Sequence, residues 1–93
     1  MLTSAQRIQL IRDTLHKALA PSSLEIIDDS DKHAGHRSAG GRGHFQVNIV
    51  SAAFRGKRLL ERHRMVYNAL GEAMETEIHA LSIQAKTPEE INP

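Results

Sequence analysis

Hydrophobic and polar positions alternate along this chain with two distinct periods. Over residues 4–19, Ile8, Ile11, Leu15 and Leu19 recur at spacings of three and four, while Arg7, Gln9, Arg12 and Lys17 take the opposite face. This spacing predicts an amphipathic helix, with Ser4 as its N-cap and Pro21 ending the run. Residues 22–28, "SSLEIID", and 44–51, "HFQVNIVS", alternate with period two and predict strands. In the first, Leu24 and Ile26 face the core. In the second, Phe45, Val47 and Ile49 point inward and His44, Gln46 and Asn48 outward. The stretch between them, about 29–43, is too rich in Gly, Ser and charge for either element and is predicted to be a flexible loop. "AAFRGK" is a short turn broken at Gly56. A long helix is expected from Arg58 to Met74, with Leu59, His63, Val66, Leu70 and Ala73 on one stripe. "EIHALSIQA" (77–85) is a third strand, in which His79 has the parity of Leu81 and Ile83. Thr87, Pro88 and Glu90 then form the N-cap, first position and capping-box partner of a last helical turn.

The predicted order is α-β-β-α-β, a single domain over residues 1–93. The first two strands pair most simply as an antiparallel pair. The second and third, joined by a helix, share a sheet in parallel through a right-handed crossover. The fold class is therefore α+β: two layers, a three-stranded mixed sheet with helices on one face. Parallel strands begin at the same edge of a sheet. His79, near the start of the third strand, should then lie beside His44 and beside the end of the loop that carries His33 and His36.

Composition narrows the chemistry. A chain of 93 residues supports one modest core, and a net charge of +1 gives no global attraction to nucleic acid or membrane. Cysteine is absent, which removes disulfides, thiolate nucleophiles and all-protein iron–sulfur sites. A metal role must rest on histidine or carboxylate. The N-terminal stretch is polar every few residues, with neither a signal-peptide core nor an apolar run of membrane length, so a cytoplasmic location is expected.

Three of the six histidines and four of the six glycines fall within residues 31–45. Connections longer than about 12–15 residues without structure of their own are usually functional or disordered. His33 and His36 form an H-x-x-H pair, but without the adjacent glutamate and helical setting of the metalloprotease pattern. Of the others, His16 is expected to be exposed on the first helix. His63, on the apolar stripe of the second, is expected to be a buried imidazole with a satisfied nitrogen. His79 is either a partly buried structural residue or a ligand. No serine or other nucleophile sits beside a base in a recognisable pattern, and a thin domain offers little room for a deep pocket, so the chain reads as non-enzymatic, with no small-molecule substrate.

Arg55, Lys57, Arg58, Arg62 and Arg64, with His63 among them, crowd the turn and the start of the second helix. Such a cluster can hold phosphates or dock a protein. Two Phe and one Tyr are too few for a base-stacking platform. The element order suggests a KH-like arrangement, yet the KH clamp needs G-x-x-G at the helix–helix turn. That turn reads "FRGKR", and the formal match, Gly40 to Gly43, lies before the second strand instead.

"HFQVNIVSAAFRGKRLLERHRMVYNAL", followed by "IHALSIQAKTPEE", resembles the BolA family: H-F before an alternating strand ending in V-S, then F-x-G-K, L-x-R-H-R-x-V-Y and the I-H-A-L strand. The resemblance spans nearly the whole chain, including the lead-in "DDSDKHAGH"; Ile91 stands where the family often has Trp. It implies a class II KH-like fold without the glycine clamp, and an adaptor that partners with a monothiol glutaredoxin. The two would share a bridging 2Fe–2S cluster in cluster assembly, trafficking or iron regulation, with glutathione supplied through the glutaredoxin. It implies further that His79 is the C-terminal strand ligand and that His33, with His36 close by, is the loop ligand. His44 is a further candidate, and Arg55 to Arg64 form part of the docking surface. Some members are described as DNA-binding transcriptional regulators, which makes DNA the alternative partner.

Overall fold

The computed structural model describes residues 2–30 and 43–92. Its elements are α1 (Ser4–Leu19), β1 (Ser23–Asp28), β2 (Gly43–Val50), a 3-10 turn (Ala52–Phe54), α2 (Leu59–Leu70), α3 (Ala73–Thr76), β3 (Ile78–Lys86) and α4 (Pro88–Ile91). β2 is the central strand. It pairs antiparallel with β1, Val47 opposite Ile26, and parallel with β3, Val47 opposite Ile83. The expected three-stranded mixed sheet is therefore present.

Local chemistry sets the ends of these elements. α1 is capped one residue earlier than the spacing suggested: the Thr3 hydroxyl accepts from the Gln6 N–H at 3.1 Å and the Gln6 amide oxygen from the Thr3 N–H at 2.9 Å. The helix closes on Ala20, held at φ 43° ahead of Pro21. A Cβ in that left-handed well costs roughly 1–2 kcal/mol; Pro21, which has no N–H and disfavours the helical state of the residue before it, ends the run as expected. At the other end of the chain, Thr87, Pro88 and Glu90 form the capping box expected from the sequence.

The core is built on one face of the sheet. Phe45, Val47 and Ile49 of β2 alternate inward against Ile11, Leu15 and Leu19 of α1 and Val66 and Leu70 of α2, with Phe54 and Ile78 closing the ends. Leu24, Ile26, Leu81 and Ile83 flank this cluster from the two outer strands. Ser51 is the buried polar joint: its hydroxyl donates to the Leu19 carbonyl at 2.6 Å and accepts from the Ala53 N–H at 3.0 Å, which satisfies both ends of a side chain that burial would otherwise penalise.

The second helix departs from expectation in two ways. It ends at Leu70 rather than Met74, because Gly71 takes φ 52° and ψ −123°, a backbone state that residues with a Cβ rarely adopt; α3 then starts as a separate turn. Its buried stripe is Arg62, Val66 and Leu70. Leu59 is 65% exposed and His63 is only half-buried, so the buried imidazole expected at 63 is not found. Arg62 takes that place because three acceptors meet it: its Nε donates to the Lys57 carbonyl at 2.9 Å, and its Nη1 to the Ala85 carbonyl at 3.1 Å and the Glu90 carboxylate at 2.6 Å.

β3 lies at the edge of the sheet. Its Lys86 carbonyl points inward, to the Ser51 N–H. The carbonyls of opposite parity face outward, and two of them are met from α2, Ala85 by Arg62 and Leu81 by the Tyr67 hydroxyl at 3.4 Å. Phe54 is fully buried and Leu60 is 62% exposed. Phe54→Ala should therefore lower the free energy of unfolding by about 3–5 kcal/mol and Leu60→Ala by less than about 0.5 kcal/mol, both measured by urea denaturation.

Candidate functional site

The parallel pairing brings the start of β2 and the start of β3 to one end of the sheet. Gly43 stands opposite Ile78, but His44 stands opposite Ala80, so one register step on β2 spans two residues of β3. His79 is the extra residue of this bulge, and a bulge re-aims the side chain it carries. Simple alternation put His79 on the inner face with Leu81 and Ile83. Instead Ile78 fills the core position and His79 is exposed. The partly buried structural role considered for it is not what the fold gives. The sequence did carry a signal: Ile78, apolar and out of phase with Leu81 and Ile83, marks a shifted register.

The result is a pair of imidazoles. The rings of His44 and His79 lie 5.0 Å apart, tilted by 56°. Half-buried His44 borders a shallow depression of about 200 Å³ lined also by Asp29, Phe45, Ala80, Leu81 and Ser82. Backbone and short polar side chains fix this end. The Asp29 N–H donates to the His44 carbonyl at 2.8 Å, the His44 N–H to the Ser30 hydroxyl at 3.0 Å, and the Gly43 N–H to the Glu77 carbonyl at 2.9 Å. Gly43 is required here: a Cβ would run into the Phe45 ring and come within 3.2 Å of the Ser30 hydroxyl. Burial pushes the Asp28 carboxyl up, but the hydroxyl and N–H of Ser30, the Ser4 hydroxyl and the Arg7 charge outweigh it and hold the group below its ordinary range.

His33 and His36 lie outside the described residues. Among the described residues, no group of three or more His, Asp or Glu side chains converges to hold a metal ion. Among the described residues, the pole therefore offers two imidazoles side by side, one of them exposed. His16 is exposed on α1, as expected.

The basic stretch is thinner than its sequence. Arg55 makes a two-pronged ion pair with Glu89 at 2.6 and 2.5 Å, and Arg62 is buried against Glu90. Outside these pairs, Lys57, Arg58 and Arg64 are exposed, and half-buried His63 lines a groove of about 380 Å³ with Leu59, Arg62, Ile83, Ala85 and Lys86 among others. Arg7 is a further residue that sequence reasoning placed wrongly. Expected on the polar face of α1, it is 7% exposed and bonds Glu77, 70 residues away, at 3.1 Å. No local pattern signals a partner so distant.

Comparison with known proteins places the chain. The model of the BolA family, "BolA-like protein", matches residues 4–90. The chain belongs to the BolA family. It is 49% identical over 87 residues to SufE-like protein 1, chloroplastic/mitochondrial, of Arabidopsis thaliana, which covers 87% of this chain and 24% of that protein. It is 41% identical over 80 residues to the DNA-binding transcriptional regulator BolA of Escherichia coli, 86% of this chain and 74% of that one. Among solved structures, the BolA domain of SufE1 from A. thaliana superimposes with a TM-score of 0.82 at 48% identity, over 97% of this chain and 99% of that one. The chain spans 24% of the length of SufE-like protein 1 and 55% and 56% of two other curated relatives. Among the described residues, no helix is long and apolar enough to cross a membrane.

The clasp between α4 and the α2 region has a pH signature. The Glu90 carboxyl is held at about 2, below its ordinary 4.5, first by the hydrogen bond from Arg62 and then by the Thr87 N–H, against a small opposing effect of burial. A carboxyl with a lowered folded-state pKa contributes stability above its unfolded value and loses it as the pH falls through the folded one. The melting-temperature advantage of the wild type over Glu90→Gln should be full at pH 6, decline below 4.5 and vanish near pH 2. Thermal melts followed by circular dichroism at four pH values check this.

Proposed function

We propose that this BolA-family chain is a non-enzymatic adaptor. It binds a monothiol glutaredoxin and offers imidazole ligands to a 2Fe–2S cluster shared between the two proteins. The observation that carries this reading is the His44–His79 pair, set side by side where two parallel strands begin, with His79 exposed on a bulge.

The donor set suits a shared group. Two imidazoles cannot complete a 2Fe–2S site, and the chain has no cysteine to add, so the remaining positions fall to thiolates of the partner and its glutathione. His79 is the ligand on the strand. His44, or His33 or His36 of the preceding segment, supplies the second nitrogen. When bound, a cluster with histidine on one iron has a higher reduction potential than an all-thiolate one. The chain's own residues present the rings, keep the His79 side chain in solvent where a partner can reach it, and keep His44 against the sheet. Ligation needs neutral imidazoles, so acid releases the complex.

The test mixes the chain with cluster-loaded monothiol glutaredoxin. Wild type should shift the visible absorption and circular dichroism of the cluster and co-elute as a heterodimer. His79→Ala should lose the spectral shift, and His44→Ala should weaken it if His44 is the second ligand. Identical spectra and elution for wild type and His79→Ala would rule out the assignment.

A second reading is favoured by exposed Lys57, Arg58 and Arg64 and by the name of the 41%-identical E. coli relative: contact with DNA phosphates. Three contacts of this kind give a shallow salt dependence, a slope near −3 in log affinity against log salt. Arg58→Glu with Arg64→Glu should abolish it, as measured by fluorescence anisotropy from about 25 to 200 mM salt (an eightfold span).

A further inference from the structure

We infer that Arg7 is a positioning residue: its buried guanidinium, bonded to Glu77, holds together the strand ends from which His44 and His79 project. The inference deepens the adaptor reading and rests on it only for its biological meaning.

The argument starts from connectivity. Arg7 sits in the first turns of α1, and its Nε donates to a Glu77 carboxylate oxygen at 3.1 Å, with both side chains largely shielded, 9% and 19% exposed. Glu77 immediately precedes β3, and its carbonyl accepts from the N–H of Gly43, the first residue of β2. One residue therefore ties the helix by its side chain and the neighbouring strand by its backbone. On the other flank, Asp28 ends β1 within reach of the Arg7 charge; its carboxylate accepts from the Ser30 N–H at 2.8 Å, and the Ser30 hydroxyl in turn accepts from the His44 N–H. Glu77, bonded to Arg7, leads to His79, and Asp28, whose carboxylate the Arg7 charge favours, leads through Ser30 to His44.

Energetics separate positioning from mere stabilisation. A buried ion pair gains little net stability over an apolar replacement, because desolvation offsets most of the attraction. Its surplus is specificity: a planar, five-donor group accepts one arrangement of carboxylates and rejects others. An apolar side chain of similar length at position 7 can fill the volume but cannot dictate where residues 28 and 77 sit. The bulge at His79 lies two residues beyond Glu77, so freedom at Glu77 becomes freedom of the imidazole.

The test uses the chain alone, so its result is independent of whether a glutaredoxin binds. Arg7→Met, Arg7→Lys and Glu77→Gln are compared with wild type by NMR, using ring-to-ring nuclear Overhauser effects between His44 and His79 and hydrogen exchange of the Gly43 amide. Arg7→Met should lose the ring-to-ring effects and lower the protection of Gly43 about tenfold more than that of Val47 and Ile49 at the sheet centre. Glu77→Gln, which keeps an oxygen for the Arg7 Nε, should retain the ring contact. The inference is overturned if Arg7→Met keeps the ring-to-ring effects and Gly43 exchange merely tracks that of Val47. Should Arg7→Met fail to fold, Arg7→Lys decides on the same two readouts.

Discussion

The parallel ladder between β2 and β3, with its single added residue, is the constraint on which the rest of the molecule depends. Parallel pairing makes both strands start at one pole, and the bulge decides what that pole displays. Without the extra residue, alternation would carry His79 under the sheet with Leu81 and Ile83, and the pole would show one imidazole. With it, Ile78 completes the core and His79 faces solvent beside His44. A backbone irregularity of one residue thus separates a structural histidine from an available one.

Much of this was legible from the chain. Phe45, Val47 and Ile49 alternate strictly because β2 is covered on one side only, and period two survives wherever one face is buried. The spacing of Ile11, Leu15 and Leu19 gave α1 for the corresponding reason, and Thr87-Pro88-Glu90 wrote out its own capping box. These signals are local: each residue's environment is set by neighbours within a few positions. The convergence of His44 and His79 was also readable, since it follows from element order and strand direction.

What was not legible depends on partners far off in sequence. Arg62 outcompetes His63 for the buried stripe of α2 because Ala85 and Glu90 supply acceptors that no window around residue 62 contains. Arg7 looks like solvent-facing polarity until Glu77 is known to be its neighbour. The basic stretch looked like a phosphate site because charge was counted without its counter-ions, Glu89 and Glu90, which lie beyond β3. In each case a charge was read without the partner that the fold supplies.

Two carbonyls on the outer margin of β3 are met by side chains from α2, Ala85 by Arg62 and Leu81 by Tyr67. A sheet with an unguarded rim recruits foreign strands, and a three-stranded sheet has proportionally more rim than a larger one. By spending two of its own donors on that margin, the protein leaves fewer bare acceptors on β3 for a foreign strand to pair with, one of them at Leu81, two residues from the imidazole of His79.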